Sequence, residues 1–237
     1  IRQVRPDKVD RVEPLPAESV QVEAAAGRIL AEAVDSPIDL PPFPSSSMDG
    51  YAVRAGNAPG VLRIVGRVAA GRPESRDLGD GEAIEISTGG VVPGGADTVV
   101  PIERIVERPG EIEIRDPVVQ GDNIRPRGGD VRAGATILAA GETLTPARLA
   151  ALAACGIESV TSRRFPRVAI VVTGTELRPP GEPLGAGQIY ESNGVMIAAA
   201  LVEAGAIVER LGATEDSVEA LEGALERALE ADVVVTS

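Results

Sequence analysis

The sequence has no histidine, no tryptophan and one cysteine, Cys155. Its aromatics are two phenylalanines (Phe43, Phe165) and two tyrosines (Tyr51, Tyr190). Without histidine there is no Ser-His-Asp triad, no imidazole acid–base chemistry and no His-ligated zinc or haem. A single thiol excludes an intrachain disulfide, a metal site built from four cysteines and an iron–sulfur cluster. Lys8 is the only lysine, so the basic side chains are nearly all arginine. No apolar run reaches the ~18 residues that span a bilayer. The stretch 147–157 comes closest and carries Arg148. No basic segment followed by an apolar one opens the chain, so a cytoplasmic protein without a membrane partner is expected. With 36 acidic against 23 basic side chains, the net charge is −13. That balance, with so few stacking side chains, argues against nucleic acid as a partner. Carboxylates, hydroxyls, arginines, backbone amides and a hard metal ion remain for chemistry.

What is present is 237 residues, 43% of them apolar and mostly Ala, Val, Ile and Leu. The length suits one or two domains with a sizeable core, and no solenoid-type repeat is visible. Residues 1–16 read as an irregular or short helical lead-in. A helical turn around Glu23–Ala26 and an extended stretch Arg28–Val34 follow. The proline- and serine-rich segment Pro41–Gly50 reads as a dense loop. Short apolar runs then predict strands at Leu62–Ala69, Ala83–Ser87, Thr98–Pro101 and Glu111–Arg115, which is the pattern of a small β-barrel or sandwich. A glycine- and arginine-rich loop, 121–134, and a stretch Thr136–Leu138 follow. Thr145-Pro146 opens a helix whose apolar side is Leu149, Leu152, Ala153 and Cys155, with Gly156 as its C-cap.

Beyond Arg164 the pattern alternates. Val168–Val172 is a strand, Gly194–Ala204 a helix, Ala206–Leu211 a strand, Ser217–Leu229 a helix and Val233–Val235 a strand. This order predicts a parallel sheet with right-handed crossovers. The last strand reads as central and doubly buried, so the α/β unit is expected to be incomplete, because parallel sheets need both faces covered.

Open α/β sheets bind ligands beyond the carboxyl ends of their strands. Here those ends deliver Thr173-Gly174-Thr175-Glu176, Gly212 to Asp216-Ser217, and Thr236-Ser237. Gly174 lets a backbone amide approach a phosphate, and Glu176 with Asp216 could hold a hard cation. Plainer readings exist: Thr-Gly turns are common after strands, and Asp216 with Glu219 also forms a capping-box pattern. The loop Ser45–Tyr51 offers Ser47, Asp49 and Gly50, or simply an Asx-type turn. The loop Asp122–Asp130 carries Asn123, Arg125 and Arg127, suited to anions, or solvated on the surface. Thr88 stands in a Ser-Thr-Gly-Gly turn.

Taken together, these motifs have a fixed order. Pro41-Pro42-Phe43-x-x-Ser46-x-Met48-Asp49-Gly50-Tyr51-Ala52-Val53 precedes Thr88-Gly89-Gly90-x-x-Pro93-x-Gly95-Ala96-Asp97. Gly121-x-Asn123-Ile124-Arg125-x-x-Gly128-x-Asp130 and Leu152-Ala153-Ala154-Cys155-Gly156-Ile157 come next. Thr173-Gly174-x-Glu176-Leu177, Gly187-Gln188-Ile189-Tyr190-x-Ser192-Asn193 and Gly212-x-x-x-x-Asp216 complete the series. From about residue 17 onward the chain resembles the molybdopterin molybdenumtransferase family (MoeA, and the E domain of gephyrin).

The resemblance implies a multidomain protein of α+β and α/β parts. An elongated first domain would combine 1–44 with 130–164. A β-barrel-like domain, 45–129, would be inserted, and 165–237 would be the first half of a three-layer molybdopterin-binding α/β domain with a parallel sheet. It implies Mg2+-dependent insertion of molybdate into adenylylated molybdopterin with release of AMP, in a homodimer whose active site is shared between protomers. Molybdopterin adenylyltransferase would be a further partner. Matched position by position, the family's catalytic residues fall on Asp49, Thr88, Asp130, Glu176 and Asp216, the last two as metal ligands. Substrate contacts are expected from Ser47, Gly50, Asn123, Arg125, Arg127, Thr173, Gly174 and Ser237. The family continues past the equivalent of Ser237 with a Gly-Gly loop, a Pro-Gly-Asn-Pro loop and a further domain, so the activity is expected of a longer parent polypeptide. Two other readings are a non-catalytic dimerising scaffold and a relative that only binds or adenylylates molybdopterin.

Overall fold

The computed structural model describes residues 12–72, 76–214 and 218–237. The early strands are β1 Ala17–Gln21, β2 Val34–Asp35, β3 Ser45–Ser46, β4 Gly50–Val53, β5 Gly60–Val68 and β6 Glu82–Ile86. Then come β7 Thr98–Pro101, β8 Ile105–Arg108, β9 Glu111–Ile114, β10 Ile124–Arg125, β11 Thr136–Leu138 and β12 Ser159–Arg163. The last are β13 Arg167–Thr173, β14 Leu177–Arg178, β15 Ile189–Tyr190, β16 Ile207–Thr214 and β17 Val233–Thr236. Helices are α1 Pro146–Ala154, α2 Asn193–Glu203 and α3 Val218–Ala228. None among the described residues is long and apolar enough to cross a membrane. The chain forms two compact units: Val34–Leu138 with Ala150–Ile157, and the N-terminal residues to Ala33 with Ala139–Leu149 and Glu158–Ser237.

The first unit is built on a six-stranded sheet ordered β7-β4-β6-β5-β9-β8, with β5–β6 its parallel pair. Strand side chains alternate between faces, and here both faces are apolar. Tyr51, Val53, Leu62, Val100 and Ile112 pack on one side, and Ala52, Val68, Ile84, Ile86 and Val99 on the other. Strands β7 and β8 stand at opposite ends of the sheet yet are joined by three residues, Ile102–Arg104. Three residues reach only ~10 Å, so the sheet curls until its ends approach. The end strands are not paired with each other, and the expected small barrel is a curled, open sheet.

In the second unit, β1 pairs antiparallel with β12, Ala17 opposite Arg163 and Gln21 opposite Ser159. The expected extended stretch 28–34 forms isolated bridges, at Ile29 and Leu30, before the short β2. Helix α1 starts as its sequence dictates: the Thr145 hydroxyl accepts the Arg148 N–H at 3.4 Å. It ends where the Ile157 N–H returns to the Leu152 carbonyl, the hydrogen bond of a Schellman closure. Cys155 is buried there.

The parallel sheet is ordered β16-β13-β17. Residues 168–172 of β13 are all buried, which makes it the central strand. Ala169 and Val171 pack on Leu221, Ala224 and Ala228 of α3. Val172 faces the other way and meets Gly194 of α2, where a Cβ would stand 3.1 Å from its Cγ2. The two helices therefore cover opposite faces. Val233–Val235, read from sequence as central, lies in β17, which like β16 stands at an edge of the three strands among the described residues, and Val233 is half-exposed.

Arg164 and Asp232 clamp the base of this sheet. The guanidinium donates to both carboxylate oxygens, at 2.6 and 2.5 Å, and the Arg167 N–H donates to Oδ2 at 2.8 Å. Arg164 chiefly, then the Arg167 amide, holds the Asp232 carboxyl well below the usual carboxylate range. A carboxyl depressed in the folded state stabilises above its unfolded pKa, and that contribution is lost as pH falls through the folded value. Asp232→Asn is therefore expected to lower stability at pH 7 and to lose less than the parent below about pH 4. Acid-unfolding curves of the two proteins should converge; parallel curves would contradict the assignment.

Candidate functional site

Each unit carries one constellation of the expected residues. In the first, three loops meet at the short antiparallel pair β3–β10, where Ser46 faces Ile124 and Ser45 faces Arg125. The dense 41–50 loop is held from both sides. The Ser46 N–H donates to the Gly90 carbonyl, the Gly89 N–H to the Ser46 carbonyl, and the Ser47 N–H to the Asn123 carbonyl. Ser46 Oγ donates to the Met48 carbonyl at 2.6 Å, closing the turn that presents Asp49.

Asp49 and Thr88 are brought together. Asp49 Oδ1 accepts the Thr88 N–H at 2.7 Å and its hydroxyl at 3.1 Å. Both residues are exposed, as are Ser47, Arg125, Arg127 and Asp130, so this is an open polar surface. Gly50 is buried in β4 beneath it. Asn123 adopts φ +57° and donates through Nδ2 to the Val99 carbonyl, so it anchors the loop.

The two arginines expected to face an anion are each paired, Arg125 with Asp130 inside the loop and Arg127 with Asp39 outside it. Asp39 was not legible as a site residue, because its partners lie far away in sequence. It accepts the Arg127 Nε–H at 2.7 Å and the Ala133 N–H at 2.9 Å. The Ala133 amide chiefly, with Arg127, lowers its carboxyl from the ordinary value. Asp39 thus pins both ends of the turn that carries Asp130.

The second constellation lies at the carboxyl end of the parallel sheet. A cavity of about 230 Å³ is lined by Thr173, Glu176, Glu191, Asn193 and Ser237, with Tyr190 among the remaining walls. The Thr173 N–H donates to the Ser237 carbonyl and the Ser237 N–H to the Val171 carbonyl, both at 3.0 Å. Ser237 Oγ accepts the Asn193 Nδ2–H at 3.1 Å. Thr173, Glu176 and Ser237 therefore line one cavity.

Gly174 sits beneath the Glu176 carboxylate at φ +153°. A Cβ there would stand 2.9 Å from Glu176 Oε1 and 2.9 Å from Leu177 Cγ. Gly174→Ala should displace the carboxylate and cost about 1–3 kcal/mol in backbone strain. Thermal melting and a crystal structure of the variant check this; an unmoved Glu176 would contradict it. Asp216 lies outside the described residues. Among those described, no group of three or more Asp, Glu, Cys or His is placed to hold a metal ion.

Sequence reasoning assigned no role to Glu191 or Asn193, although Asn193 lies in a recognised motif and Glu191 directly adjoins Tyr190 of the same motif.

A parallel sheet that gathers hydroxyls and a carboxylate at one edge is an α/β unit for a small polar ligand. The chain belongs to the MoeA family. Residues 3–156 match the family described as "MoeA N-terminal region (domain I and II)", and residues 169–237 match "Probable molybdopterin binding domain". It is 39% identical over 227 residues to molybdopterin molybdenumtransferase 2 of Mycobacterium tuberculosis, covering 92% of this chain and 56% of that protein. It is 36% identical over 228 residues to molybdopterin molybdenumtransferase of Haemophilus influenzae, covering 94% and 56%. The crystal structure of the molybdopterin biosynthesis MoeA protein from Pyrococcus horikoshii OT3 superposes with a TM-score of 0.84 at 32% identity, covering 93% of this chain and 61% of the other. The chain thus spans little more than half the length of the curated relatives it matches.

Proposed function

We propose that this chain, within a polypeptide of its relatives' length, belongs to a cytoplasmic homodimer. That dimer inserts molybdate into adenylylated molybdopterin with release of AMP, dependent on Mg2+. The observation that carries the reading is the convergence of Thr173, Glu176 and Ser237 on one cavity, in a chain of the MoeA family. The three-domain division, 1–44 with 130–164, 45–129 and 165–237, is part of the same proposal.

The donors present suit Mg2+, which keeps several waters and takes one or two carboxylates plus substrate phosphate. Glu176 is exposed and would hold the ion, with Asp216 as the second ligand proposed from the family. Bound Mg2+ would neutralise charge on the phosphoanhydride. Glu176 also accepts a hydrogen bond from the water that cleaves the anhydride. The Thr173 and Ser237 hydroxyls donate to phosphate oxygens, and Gly174 leaves its backbone open to them.

Asp49, Thr88 and Asp130 would position substrate in the partner protomer's cleft, with Ser47, Asn123, Arg125 and Arg127 around them. Because Arg125 and Arg127 are already paired with Asp130 and Asp39, these ion pairs would hold the loop in the shape that receives substrate. Asp39→Ala is therefore expected to release the 127–133 turn and raise KM about tenfold, the scale of one charge-assisted hydrogen bond. An unchanged KM would remove Asp39 from this role.

The test of the function is AMP formation from adenylylated molybdopterin by the full-length polypeptide. AMP should appear only with molybdate and Mg2+ together. No AMP with both present, from a folded dimer, would overturn the reading.

A further inference from the structure

We propose that Glu191 is a positioning residue for the cavity, setting the orientation of the Ser237 hydroxyl through α2 and Asn193. This rests on the reading of the cavity as the site of the substrate phosphates. Glu191 is 5% exposed yet lies on the cavity wall. A carboxylate at such depth is costly unless its oxygens are hydrogen-bonded. Both are: one accepts the Gly194 N–H in the first turn of α2, and the other pairs with Arg210 of β16. The first turn of a helix has amide donors without intrahelical partners, and a negative charge there is favourable. Glu191 answers that need and ties the end of α2 to the sheet.

The consequence reaches the ligand. Asn193 stands between Glu191 and Gly194, and its amide donates to Ser237 Oγ at 3.1 Å. An oxygen that accepts there has its own proton left to donate elsewhere. Ser237 lines the cavity, so that proton would be donated to a phosphate oxygen bound there. Because Glu191 occupies the Gly194 amide, the ligand meets the Ser237 and Thr173 hydroxyls and not that amide of the helix turn. Glu191 itself touches no substrate.

The test uses the full-length polypeptide with Glu191→Ala, Glu191→Gln and Asn193→Ala. Glu191→Gln keeps an acceptor for Gly194 and should leave KM for adenylylated molybdopterin within about threefold, whereas Glu191→Ala should raise it about tenfold. In an Asn193→Ala background, Glu191→Ala should change KM by less than about twofold, because both act through one linkage. A full, additive tenfold loss in that background, or no loss in the single variant, would overturn the proposal. Amide exchange separates this from the substrate reading. In ligand-free protein, Glu191→Ala should speed exchange at Gly194 about tenfold or more without changing β13. Unaltered exchange overturns the positioning role even if the parent is active. A parent that releases no AMP overturns the substrate reading, and exchange still decides the role of Glu191.

Discussion

Gly50→Ala should be the most destabilising small substitution in the Met48–Tyr51 motif. A Cβ at Gly50 would stand 2.0 Å from the Val100 carbonyl oxygen and 2.9 Å from Pro101 Cα. Those are backbone atoms of β7, the strand that pairs with β4 over Gly50–Val53. No rotamer change relieves such a contact, so β4 and β7 must separate. Overpacking of this kind costs about 3 kcal/mol, roughly 12–24 °C in melting temperature for a unit near 100 residues. The damage extends to Asp49, whose carbonyl accepts the Ile102 N–H and whose carboxylate holds Thr88. Differential scanning calorimetry checks the expectation; a shift under about 3 °C would show that the sheet accommodates the methyl group.

Glu176→Ala should have the largest effect on activity with almost none on stability. The side chain is exposed and stands over Gly174 at the cavity edge, so removing it leaves no buried void. Loss of a carboxylate that holds a cation and orients water lowers rates by about 10²–10⁴-fold. The melting temperature should stay within about 2 °C of the parent, as for surface substitutions generally. AMP release measured beside thermal melting separates the two effects. A rate within about threefold of the parent would remove Glu176 from the chemistry.

The legible parts of the fold are those where local chemistry decides. Thr145-Pro146 and Gly156 bracket α1, and the apolar run Val168–Val172 can only be a buried strand. Alternation of strand and helix after Arg164 announced a parallel sheet, and β13 does pair parallel with β16 and β17. Strand order was not legible. The order β16-β13-β17 puts the first of these three strands between the other two, which no local pattern states. Nor was β1 evident, since its burial is slight and its partner lies about 140 residues away. The site shows the same division. Asp49, Thr88, Thr173 and Glu176 each lie in a motif of the ordered series and Ser237 ends a strand, so they could be picked out singly, while hydrogen bonds between distant segments bring them together. Asp39 with Arg127, and Glu191 with Arg210, are ion pairs between distant segments, and no local pattern announces them.

In the proposed homodimer, the Asp49 constellation of one protomer and the Glu176 constellation of its partner would serve one reaction. Mixing full-length Asp49→Ala with full-length Glu176→Ala tests it directly. Each variant alone should be nearly inactive. Random reassociation makes about half the dimers mixed, and each mixed dimer then holds one site with both residues intact, so AMP release should recover to about one quarter of the parent rate. Recovery to that level supports a shared site, and no recovery from a mixture shown to exchange subunits would contradict it.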